Sequence, residues 1–483
     1  MKIVQVVSGC KKGDGVGNVV AVIDELLKKN RYETLICNRR LGYMDVDSEL
    51  FGRDTIVFYH LALLADPVVK HLKCRKVLVF HNITLPGLLE GTDEKTRIEA
   101  SAGWYDTAKT ADFFDAAITF SAYSKDCLVR LGWKAEKVFV LPILIRFSHF
   151  SAEPSGEIIR KYRGNSVNIL FTGRVYPNKK QDDIIAAFAA YKELYEKNAK
   201  LFLVGSISGG NYYYSLLSYA EKLGVAEDVI FTGHVAFAEY LAYYHIADMY
   251  LCMSAHEGFC IPLVEAMYFE VPIIAHASTA VPDTLAGCGV LLDSREPKTV
   301  AGVMNRVMAD KVYRQSIMAG QHVRLKQLLP ETLERQYMEV LGNIVNGLCM
   351  SDNDISEIKN DDKYQFTLSY DLSWQIERLA GKQKKYVVYG AGAAGTRLYA
   401  ELKKNCGEEG LVLCDSYKAG NYDASLGCPI ISPKEAARNY ADGIFILSIQ
   451  DKRAVLEAAL CLVGEGINLA QLLFYDRINN QIF

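Results

Sequence analysis

Two glutamates in the segment HEGFCIPLVEAM are the best candidates for chemistry in this sequence. Glu257 and Glu265 have seven residues between them. The run DMYLCMS before the segment predicts a strand, and Pro262 suits the first turn of a helix because its missing N–H would have no partner there. The loop between them therefore lies at the carboxyl edge of a sheet. Ligands bind at that edge of an open α/β sheet, and the free N–H groups of a helix start favour a phosphate.

The spacing of the two glutamates leaves two interpretations open. We expect Glu257 in the loop and Glu265 on the first turn of the helix, where both would face a ligand. Alternatively, Glu265 only complements the helix dipole and Glu257 is a solvated loop residue.

The elements that must position these residues follow from the alternation of strand and helix patterns. β-branched runs separated by helical periodicity predict parallel sheets covered by helices on both faces. The strand-like runs are KIVQVVS, TIVFY, KVLVF, AAITF and KVFVL, then VNILFTG, LFLVG, DVIFTG, DMYLCMS and VPIIA. A polar stretch with Pro154 and Gly156 separates the two sets. We predict two doubly wound Rossmann-like lobes, at 1–150 and 151–347.

The remainder of the chain predicts a linker and a third domain. The stretch SDNDISEIKNDDK is acidic and poor in apolar residues, so we assign 348–380 to a linker and connecting helix. A third strand-helix series at 381–483 predicts a smaller Rossmann-like α/β domain. A length of 483 residues agrees with about three domains.

Composition restricts the partners and the compartment. The formal net charge of −3 creates no field that would gather nucleic acid. Twelve cysteines are scattered singly, which predicts buried thiols in a reducing compartment, not disulfides or zinc ligands. The start MKIVQVVSGC lacks the long apolar core of a signal peptide, and no apolar run approaches the ~20 residues of a membrane span. We expect a cytoplasmic protein, with docking on the inner face of a membrane left open.

The segment HEGFCIPLVEAM resembles the signature of glycosyltransferase family four, the retaining enzymes of the two-lobed GT-B type. Three more segments extend the resemblance: FTGRVYPNKKQDDII, FTGHVAFAEYLAYYHIAD and STAVPDTLAGCGVLL. The resemblance covers roughly residues 1–347 and is most specific over 170–290.

The resemblance implies a role for each matching residue. Glu257 would bond the hydroxyls of the transferred sugar, and Glu265 would hold the ribose. Arg174 and Lys179 match two cations on the donor diphosphate. The other donor-binding residues implied are Gly15, Gly17, Gly233, His234, Val235, Gly258, Phe259, Cys260 and Leu263.

The implied chemistry needs no metal ion and no side-chain nucleophile. Two fixed cations can stabilise the negative charge of a departing nucleoside diphosphate. We identify no Asp-x-Asp pair at a strand end in 1–347, so we expect no metal and no cofactor for the transfer. The donor phosphate oxygen would take the acceptor proton, with retention of the anomeric configuration. The alternative for Arg174 and Lys179 is that they are solvated charges after a strand.

Two loops of the first lobe resemble acceptor-side loops of a polysaccharide-associated branch of the family. They are GDGVGN (13–18) and FHNITLPG (80–87). Gly13, Gly15 and Gly17 would let the backbone approach a ligand closely, or they form a turn that needs a positive φ. His81 matches the active-site histidine near the sugar, or it caps a strand end. His60, in FYHLAL, is a second pocket candidate.

The last domain contains a dinucleotide fingerprint. KYVVYGAGAAGTRLYAELKK places Gly390, Gly392 and Gly395 between a strand and a helix, and Asp415 ends the next strand about 25 residues on. The domain resembles small Rossmann-like domains appended to bacterial polysaccharide-synthesis proteins. Either a nucleotide, NAD(P) or a UDP-sugar, binds there, or the glycines serve helix-sheet packing.

We therefore predict a glycosyltransferase that moves a hexose-type sugar from GDP-mannose or a UDP-sugar to a glycan or lipid-linked acceptor in cell-surface polysaccharide assembly. The alternative is a nucleotide-dependent oxidoreductase or epimerase that acts through 381–483. A non-catalytic sugar or nucleotide sensor is a third interpretation, against which the intact set of charged residues argues. Acceptor, linkage and oligomeric state are not readable from the sequence.

Overall fold

A computed structural model of the chain describes residues 2–7, 15–38, 49–52, 54–63, 69, 72–89, 92–164, 166–207, 210–347, 385–406, 409–448, 458–459, 461–467, 472–476 and 481–482. The chain forms two compact units, Met1–Leu348 and Cys349–Phe483. The predicted linker at 348–380 lies outside the described residues.

Six parallel strands form the first sheet. They are β1 (Lys2–Val7), β2 (Glu33–Asn38), β3 (Thr55–Leu61), β4 (Arg75–Phe80), β5 (Ala116–Thr119) and β6 (Val138–Val140). Their order is β2-β1-β3-β4-β5-β6. The helices of this lobe are α1 (Gly15–Lys29), α2 (Glu94–Lys109) and α3 (Ala122–Arg130).

The first sheet is buried on both faces. Neighbouring residues of a strand point to opposite faces, and here they enter two different cores. Ile3 and Ile56 belong to one core, whereas Val4 and Val57 belong to the other. This two-sided burial explains why the strands read as nearly continuous apolar runs.

The second sheet is also parallel and has six strands. They are β7 (Val167–Thr172), β8 (Ala199–Val204), β9 (Val229–Gly233), β10 (Met249–Cys252), β11 (Ile273–His276) and β12 (Val290–Leu292). The order β12-β11-β10-β7-β8-β9 reverses direction between β7 and β10. Loops after the two strands at such a switch point diverge and leave a crevice for ligands.

Nine described helices accompany the second sheet in sequence. They are α4 (Gly156–Tyr162), α5 (Gln181–Leu194), α6 (Gly210–Lys222), α7 (Phe237–Ile246), α8 (Ile261–Tyr268), α9 (Val281–Leu285), α10 (Pro297–Ala309), α11 (Lys311–Gln327) and α12 (Pro330–Gly347). The two predicted doubly wound lobes are thus confirmed. Among the described residues, none of the helices combines the length and apolar composition needed to cross a bilayer.

Helix α12 joins the two lobes. Leu333 and Leu341 lie in one core with Ile3 of the first lobe and Val264 of the second. The Tyr337 hydroxyl donates to the carbonyl of Pro142 over 3.0 Å. The predicted range of the second lobe, 151–347, therefore ends in a helix that packs against both lobes.

The second unit is a smaller α/β domain with a mixed sheet. Its strands are β13 (Tyr386–Tyr389), β14 (Leu411–Cys414), β15 (Tyr422–Asp423), β16 (Cys428–Ile431), β17 (Ile444–Leu447), β18 (Leu472–Asp476) and β19 (Gln481–Ile482). The order is β15-β16-β14-β13-β17-β18-β19, with antiparallel pairing only at the two edges. Its described helices include α13 (Ala393–Cys406) and α14 (Pro433–Asn439). A smaller α/β domain is therefore confirmed.

Candidate active site

Four of the predicted site residues lie on or beside the loops at the switch point of the second sheet. Arg174 and Lys179 follow β7, and Glu257 follows β10. These are the adjacent central strands of the sheet. Glu265 lies on α8, the helix that the β10 loop enters.

Lys179 and Glu257 form a nearly buried ion pair. The Lys179 ammonium donates to both carboxylate oxygens of Glu257, over 2.7 and 2.8 Å. Their side chains are 20% and 10% exposed. Burial is the largest single effect and acts to lower the pKa of Lys179, but the charge and hydrogen bonds of Glu257, together with the neighbouring thiols, outweigh it, so the pKa is raised. Lys179 is therefore a permanent cation held at the crevice.

Arg174 differs from Lys179 in having no carboxylate to neutralise it. Its guanidinium lies over the ring of Tyr176, 4.6 Å from the ring centroid. The residue is exposed, and within the described part of the chain no ion pair includes it. A guanidinium offers several N–H donors in a rigid plane, which suits a phosphate. Of the two predicted cations, Lys179 is thus paired with a carboxylate and Arg174 is not.

We predicted Glu265 on the first turn of its helix, but it lies at the start of the second turn. Helix α8 begins at Ile261, so Glu265 is on its second turn, and the expectation of a first-turn position was wrong. Pro262 is in the first turn, as predicted. At its actual position Glu265 is too deep in the helix for the dipole to explain it, since that effect falls off within the first turn.

Two tyrosines of α7 hold Glu265. The hydroxyls of Tyr240 and Tyr244 both donate to its Oε2, over 2.5 and 2.8 Å. Burial raises the pKa of Glu265, and the two hydroxyl hydrogen bonds oppose that rise. Neither tyrosine is among the predicted site residues. The sequence feature that could have identified them is their spacing of four residues, which places both side chains on one face of a helix.

Gly258 is one of the residues through which the second lobe touches the first. A Cβ on Gly258 would lie 2.7 Å from the carbonyl oxygen of His81 and 3.0 Å from Cβ of Asn82. The Gly258 carbonyl accepts a hydrogen bond from the Ser121 hydroxyl over 2.9 Å. The loop that carries Glu257 therefore rests directly on the loop that carries His81.

The other predicted residues of this segment contribute packing. Phe259, Cys260 and Leu263 have buried side chains. Cys260 precedes α8 with a φ of 75°, in the left-handed region, so the entry to the helix is strained. The Phe259 carbonyl accepts a hydrogen bond from Thr284.

Gly233, His234 and Val235 lie at the end of β9. Gly233 has a φ of 68° and His234 is exposed. Strand β9 is separated from the switch point by β8. No hydrogen bond or ion pair between described residues joins His234 to Lys179 or Glu257.

The glycines of the first lobe are partly described. Gly13 lies outside the described residues, whereas Gly15 and Gly17 are in α1. Both are helical, so the interpretation that they need a positive φ was wrong for them. A Cβ on Gly15 would meet nothing within 4 Å.

One group of described side chains has the composition of a metal site. Ligand atoms of Cys252, Glu257 and Cys260 lie within 4.8 Å of one another. The ammonium of Lys179 already occupies both oxygens of Glu257, so a cation there would have to displace another cation. The sequence also contains the triplet Asp45-Val46-Asp47, which lies outside the described residues.

The fingerprint glycines of the second unit have separate explanations. Gly390 has a φ of 113°, which favours glycine. A Cβ on Gly395 would lie 1.7 Å from the Gly390 carbonyl oxygen, so glycine is required for helix α13 to approach the strand. A Cβ on Gly392 would meet nothing within 4 Å.

Asp415 is bonded to the main chain around it. Oδ2 accepts from the N–H of Ala391 over 2.7 Å, and Oδ1 accepts from the N–H groups of Tyr417 and Lys418. A ribose would therefore compete with three hydrogen bonds that the unit already makes.

The second unit also contains a Tyr-x-x-x-Lys pair, which could relay a proton in an oxidoreductase. Tyr399 is buried in the core, and the Lys403 ammonium donates to the carbonyl of Leu426 over 3.1 Å. The placement does not favour a proton relay.

The second lobe has recognisable relatives. Residues 158–321 match the family model described as glycosyl transferases group 1. That range contains Arg174, Lys179, Glu257 and Glu265. This region thus matches a glycosyltransferase domain, as the resemblance implied.

Two curated proteins are similar to part of this chain. The GDP-mannose-dependent alpha-(1-6)-phosphatidylinositol monomannoside mannosyltransferase of Mycobacterium tuberculosis is 28% identical over 215 residues, which are 42% of this chain and 55% of the relative. The D-inositol 3-phosphate glycosyltransferase of Thermobifida fusca is 30% identical over 165 residues, 32% of this chain and 38% of the relative. The chain spans about half the length, or less, of these relatives.

A solved structure covers both lobes. Anabaena HepE in complex with UDP and glucose matches 71% of this chain and 100% of its own, with a TM-score of 0.56 and 19% identity. At this identity the match shows the fold alone, which is that of a GT-B glycosyltransferase.

Proposed function

We propose that the chain is a retaining, metal-independent glycosyltransferase. It would move a hexose from GDP-mannose or a UDP-sugar to a glycan or lipid-linked acceptor in cell-surface polysaccharide assembly. The observation that carries the proposal is the pair of cations at the switch point, where Lys179 is fixed on Glu257 and Arg174 is left unpaired. The match of residues 158–321 to glycosyl transferases group 1 supports it.

The two cations would act on the leaving group. Cleavage of the bond between sugar and phosphate leaves negative charge on a nucleoside diphosphate. Arg174 and Lys179 would stabilise that charge in the transition state without reorganisation, because both are positioned before the reaction. Lys179 would share its three donors between Glu257 and a phosphate oxygen.

Glu257 would hold the sugar while the bond breaks. A carboxylate accepts hydrogen bonds from hydroxyl groups, and that of Glu257 lies beside the Lys179 ammonium. The departing phosphate oxygen would take the proton of the acceptor hydroxyl on the same face of the sugar. The new bond would then form on the face from which the old bond broke, so the anomeric configuration is retained. An anomeric coupling in the product that shows inversion would contradict this mechanism.

Glu265 would accept hydrogen bonds from the ribose hydroxyls. Tyr240 and Tyr244 fix its Oε2, which defines the direction in which the carboxylate faces a ligand. A buried carboxylate held by two donors is a rigid recognition group, and rigidity reduces the entropy that binding costs.

The acceptor side is supported by the relatives alone. The Mycobacterium tuberculosis relative is named as a GDP-mannose-dependent mannosyltransferase of phosphatidylinositol monomannoside. By analogy, we propose a lipid-linked acceptor reached from the inner face of the membrane. Co-sedimentation with anionic vesicles in physiological salt tests this, and a chain that remains in the supernatant at every lipid concentration would contradict it.

For the second unit we propose a nucleotide site, with NAD(P) or a UDP-sugar as ligand. The open space around Gly392 supports it. Because the Asp415 carboxylate already accepts three main-chain hydrogen bonds, we predict that the ligand is held through its phosphates and not through its ribose. A thermal shift of the full chain with NAD, NADP or a UDP-sugar that persists in an Arg174→Ala, Lys179→Ala variant tests this site; no shift would overturn it.

The first experiment on the transferase is calorimetric titration with UDP and GDP in chelator. Arg174→Ala and Lys179→Ala should each abolish binding or weaken it by at least tenfold, since each removes a charge-assisted contact to the diphosphate. Lys192→Ala is the matched control, because Lys192 is also a mostly buried lysine in an ion pair, with Asp228. Binding that the site variants lose and the control keeps would also identify the base. Failure of both diphosphates to bind wild type would contradict the proposal.

A further inference from the structure

A chain of hydrogen bonds leads from helix α1 to His81. It starts at Gln5 on β1, passes through His60 on the adjacent strand β3 and ends at His81, the residue that follows the next strand, β4. Gln5 of β1 donates through Nε2 to the carbonyl of Val20, over 3.1 Å. Oε1 of Gln5 lies 3.0 Å from Nε2 of His60, and Nδ1 of His60 lies 2.9 Å from Nε2 of His81.

The hydrogen-bonding partners determine which nitrogen of each histidine carries the hydrogen. The Val20 carbonyl can only accept, so the amide nitrogen of Gln5 must face it and Oε1 must face His60. An amide oxygen also only accepts, so Nε2 of His60 carries hydrogen. In a neutral imidazole the other nitrogen is an acceptor, and Nδ1 of His60 therefore receives the Nε2–H of His81. The remaining nitrogen of His81, Nδ1, then carries a lone pair.

Both imidazoles are neutral in the folded chain. Burial, and then repulsion from His81, lower the pKa of His60 well below its ordinary value. Burial lowers the pKa of His81 to about 3. Within the described part of the chain, no carboxylate forms an ion pair with either ring. The titratable group that each imidazole contacts is the other imidazole.

His81 lies where a fixed acceptor would matter. Its carbonyl oxygen is the atom nearest to the missing Cβ of Gly258, next to Glu257. As a whole residue His81 is only partly buried, whereas Gln5 and His60 are 0% and 3% exposed. The two buried groups therefore contact a ligand only through His81.

We propose that Gln5 and His60 are positioning residues that hold His81 as the Nε2–H tautomer, so that Nδ1 accepts a hydrogen bond from a hydroxyl group of the sugar. The inference rests on the proposed function and adds the direction of one contact to it. A histidine free to exchange tautomers would divide its population between donor and acceptor. A fixed acceptor binds a hydroxyl donor without that loss, and being neutral it adds no charge beside the sugar.

Substitution of Gln5 should reverse the whole chain of hydrogen bonds. In Gln5→Leu, an Nε2–H on His60 would be buried without an acceptor, which is costly. His60 then avoids that loss by carrying hydrogen on Nδ1 and donating to Nε2 of His81. His81 must in turn carry hydrogen on Nδ1, so the nitrogen offered to the sugar becomes a donor. His60→Gln is the conservative counterpart, because its amide can donate to Gln5 and accept from His81 with the original direction.

The test is nitrogen NMR of the full chain with labelled histidine, with the His81 signals assigned by a His81→Gln variant. We expect an unprotonated Nδ1 on His81 in wild type and in His60→Gln, and a protonated Nδ1 in Gln5→Leu. Transfer kinetics should show a loss of kcat/KM of about tenfold in Gln5→Leu, equivalent to one hydrogen bond, with binding of the diphosphate unchanged. His60→Gln should retain most of the activity.

A protonated Nδ1 in wild-type His81, or no change of tautomer in Gln5→Leu, would overturn the inference. Reversal of the tautomer without any loss of kcat/KM would overturn its link to the sugar. Because the tautomers are read without turnover, they decide the positioning role even if wild type binds neither UDP nor GDP, a result that would overturn the proposed function. If Gln5→Leu does not fold, His60→Gln still decides, since a protonated Nδ1 of His81 there contradicts the assignment.

Discussion

Gly258 of the second lobe meets His81 of the first so closely that a Cβ on Gly258 would lie 2.7 Å from the His81 carbonyl oxygen. Real Cβ atoms do not approach a main-chain oxygen to that distance, so the two lobes meet in this arrangement only with glycine at 258. The candidate contact to the sugar and the candidate sugar-binding carboxylate thus depend on one small residue.

Gly258→Ala should separate the two loops. We expect kcat/KM to fall by about tenfold to a hundredfold, because small displacements of positioning groups have effects of that size. The thermal midpoint should fall by a few degrees at most, since the contact is one of several between the lobes. Gly342→Ala in α12 is the control, because a Cβ there would meet nothing within 4 Å. Equal kinetics for Gly258→Ala and wild type would show that the lobes do not work in this closed arrangement.

Substitution of Lys179 should reduce the stability of the fold, whereas substitution of Arg174 should leave it almost unchanged. Lys179→Met leaves the Glu257 carboxylate nearly buried without its partner, and we expect a loss of about 2–3 kcal/mol in the free energy of unfolding. Arg174→Met should change stability by less than about 0.5 kcal/mol, because the guanidinium is exposed and has no carboxylate partner. Urea unfolding of the full chain measures both values. The double variant Lys179→Met, Glu257→Gln should recover part of the loss, and no recovery would mean that the pair is not the cause.

Much of the fold was predictable because its signals are local. Two-sided burial gives β-branched runs, and the missing N–H of Pro262 marks a helix start, so strands and helices could be assigned without knowing what they touch. The position of Glu257 at a sheet edge followed from the rule that ligand loops lie at the carboxyl ends of parallel strands, whereas Arg174 and Lys179 were named through the family resemblance. The placement of Glu265 on the first turn was wrong, because α8 begins at Ile261, one residue before Pro262, and the fifth residue of a helix falls in its second turn.

The supporting residues were not predictable for the same reason. Tyr240 and Glu265 are 25 residues apart, and Gln5 and His60 are 55 residues apart. Their contacts depend on the order of strands and on how α7 packs against α8. Residue types alone identify tyrosine and glutamine as ordinary core or surface choices, and only the fold shows which acceptor each one meets.

Tyr240→Phe should weaken nucleotide binding through Glu265. Loss of the hydroxyl removes one of two donors to Oε2 and lets the carboxylate rotate, so we expect the Kd for UDP or GDP to rise by about fivefold to twentyfold. The pKa of Glu265, already raised by burial, should rise further because a hydrogen bond that lowers it is gone. Tyr243→Phe on the same helix is the matched control, since its hydroxyl does not bond Glu265. Calorimetry at neutral pH measures the difference; equal Kd values for the two variants would contradict this role of Tyr240.

Acid should destabilise the chain through His60 and His81. Both have a folded-state pKa below the ordinary value of 6.5, that of His81 at about 3. Between those values the unfolded chain binds protons that the folded chain refuses, so the free energy of unfolding falls as the pH is lowered from 6.5 towards 3. Each histidine contributes a slope of at most about 1.4 kcal/mol per pH unit. Above pH 6.5 both states are neutral at these positions, and the contribution is constant.

Urea unfolding at about pH 7, 6 and 5 should show a shallower acid loss for His60→Gln than for wild type, because that variant removes one such histidine while keeping its hydrogen bonds. Parallel pH profiles for wild type and His60→Gln would mean that His60 is not held neutral.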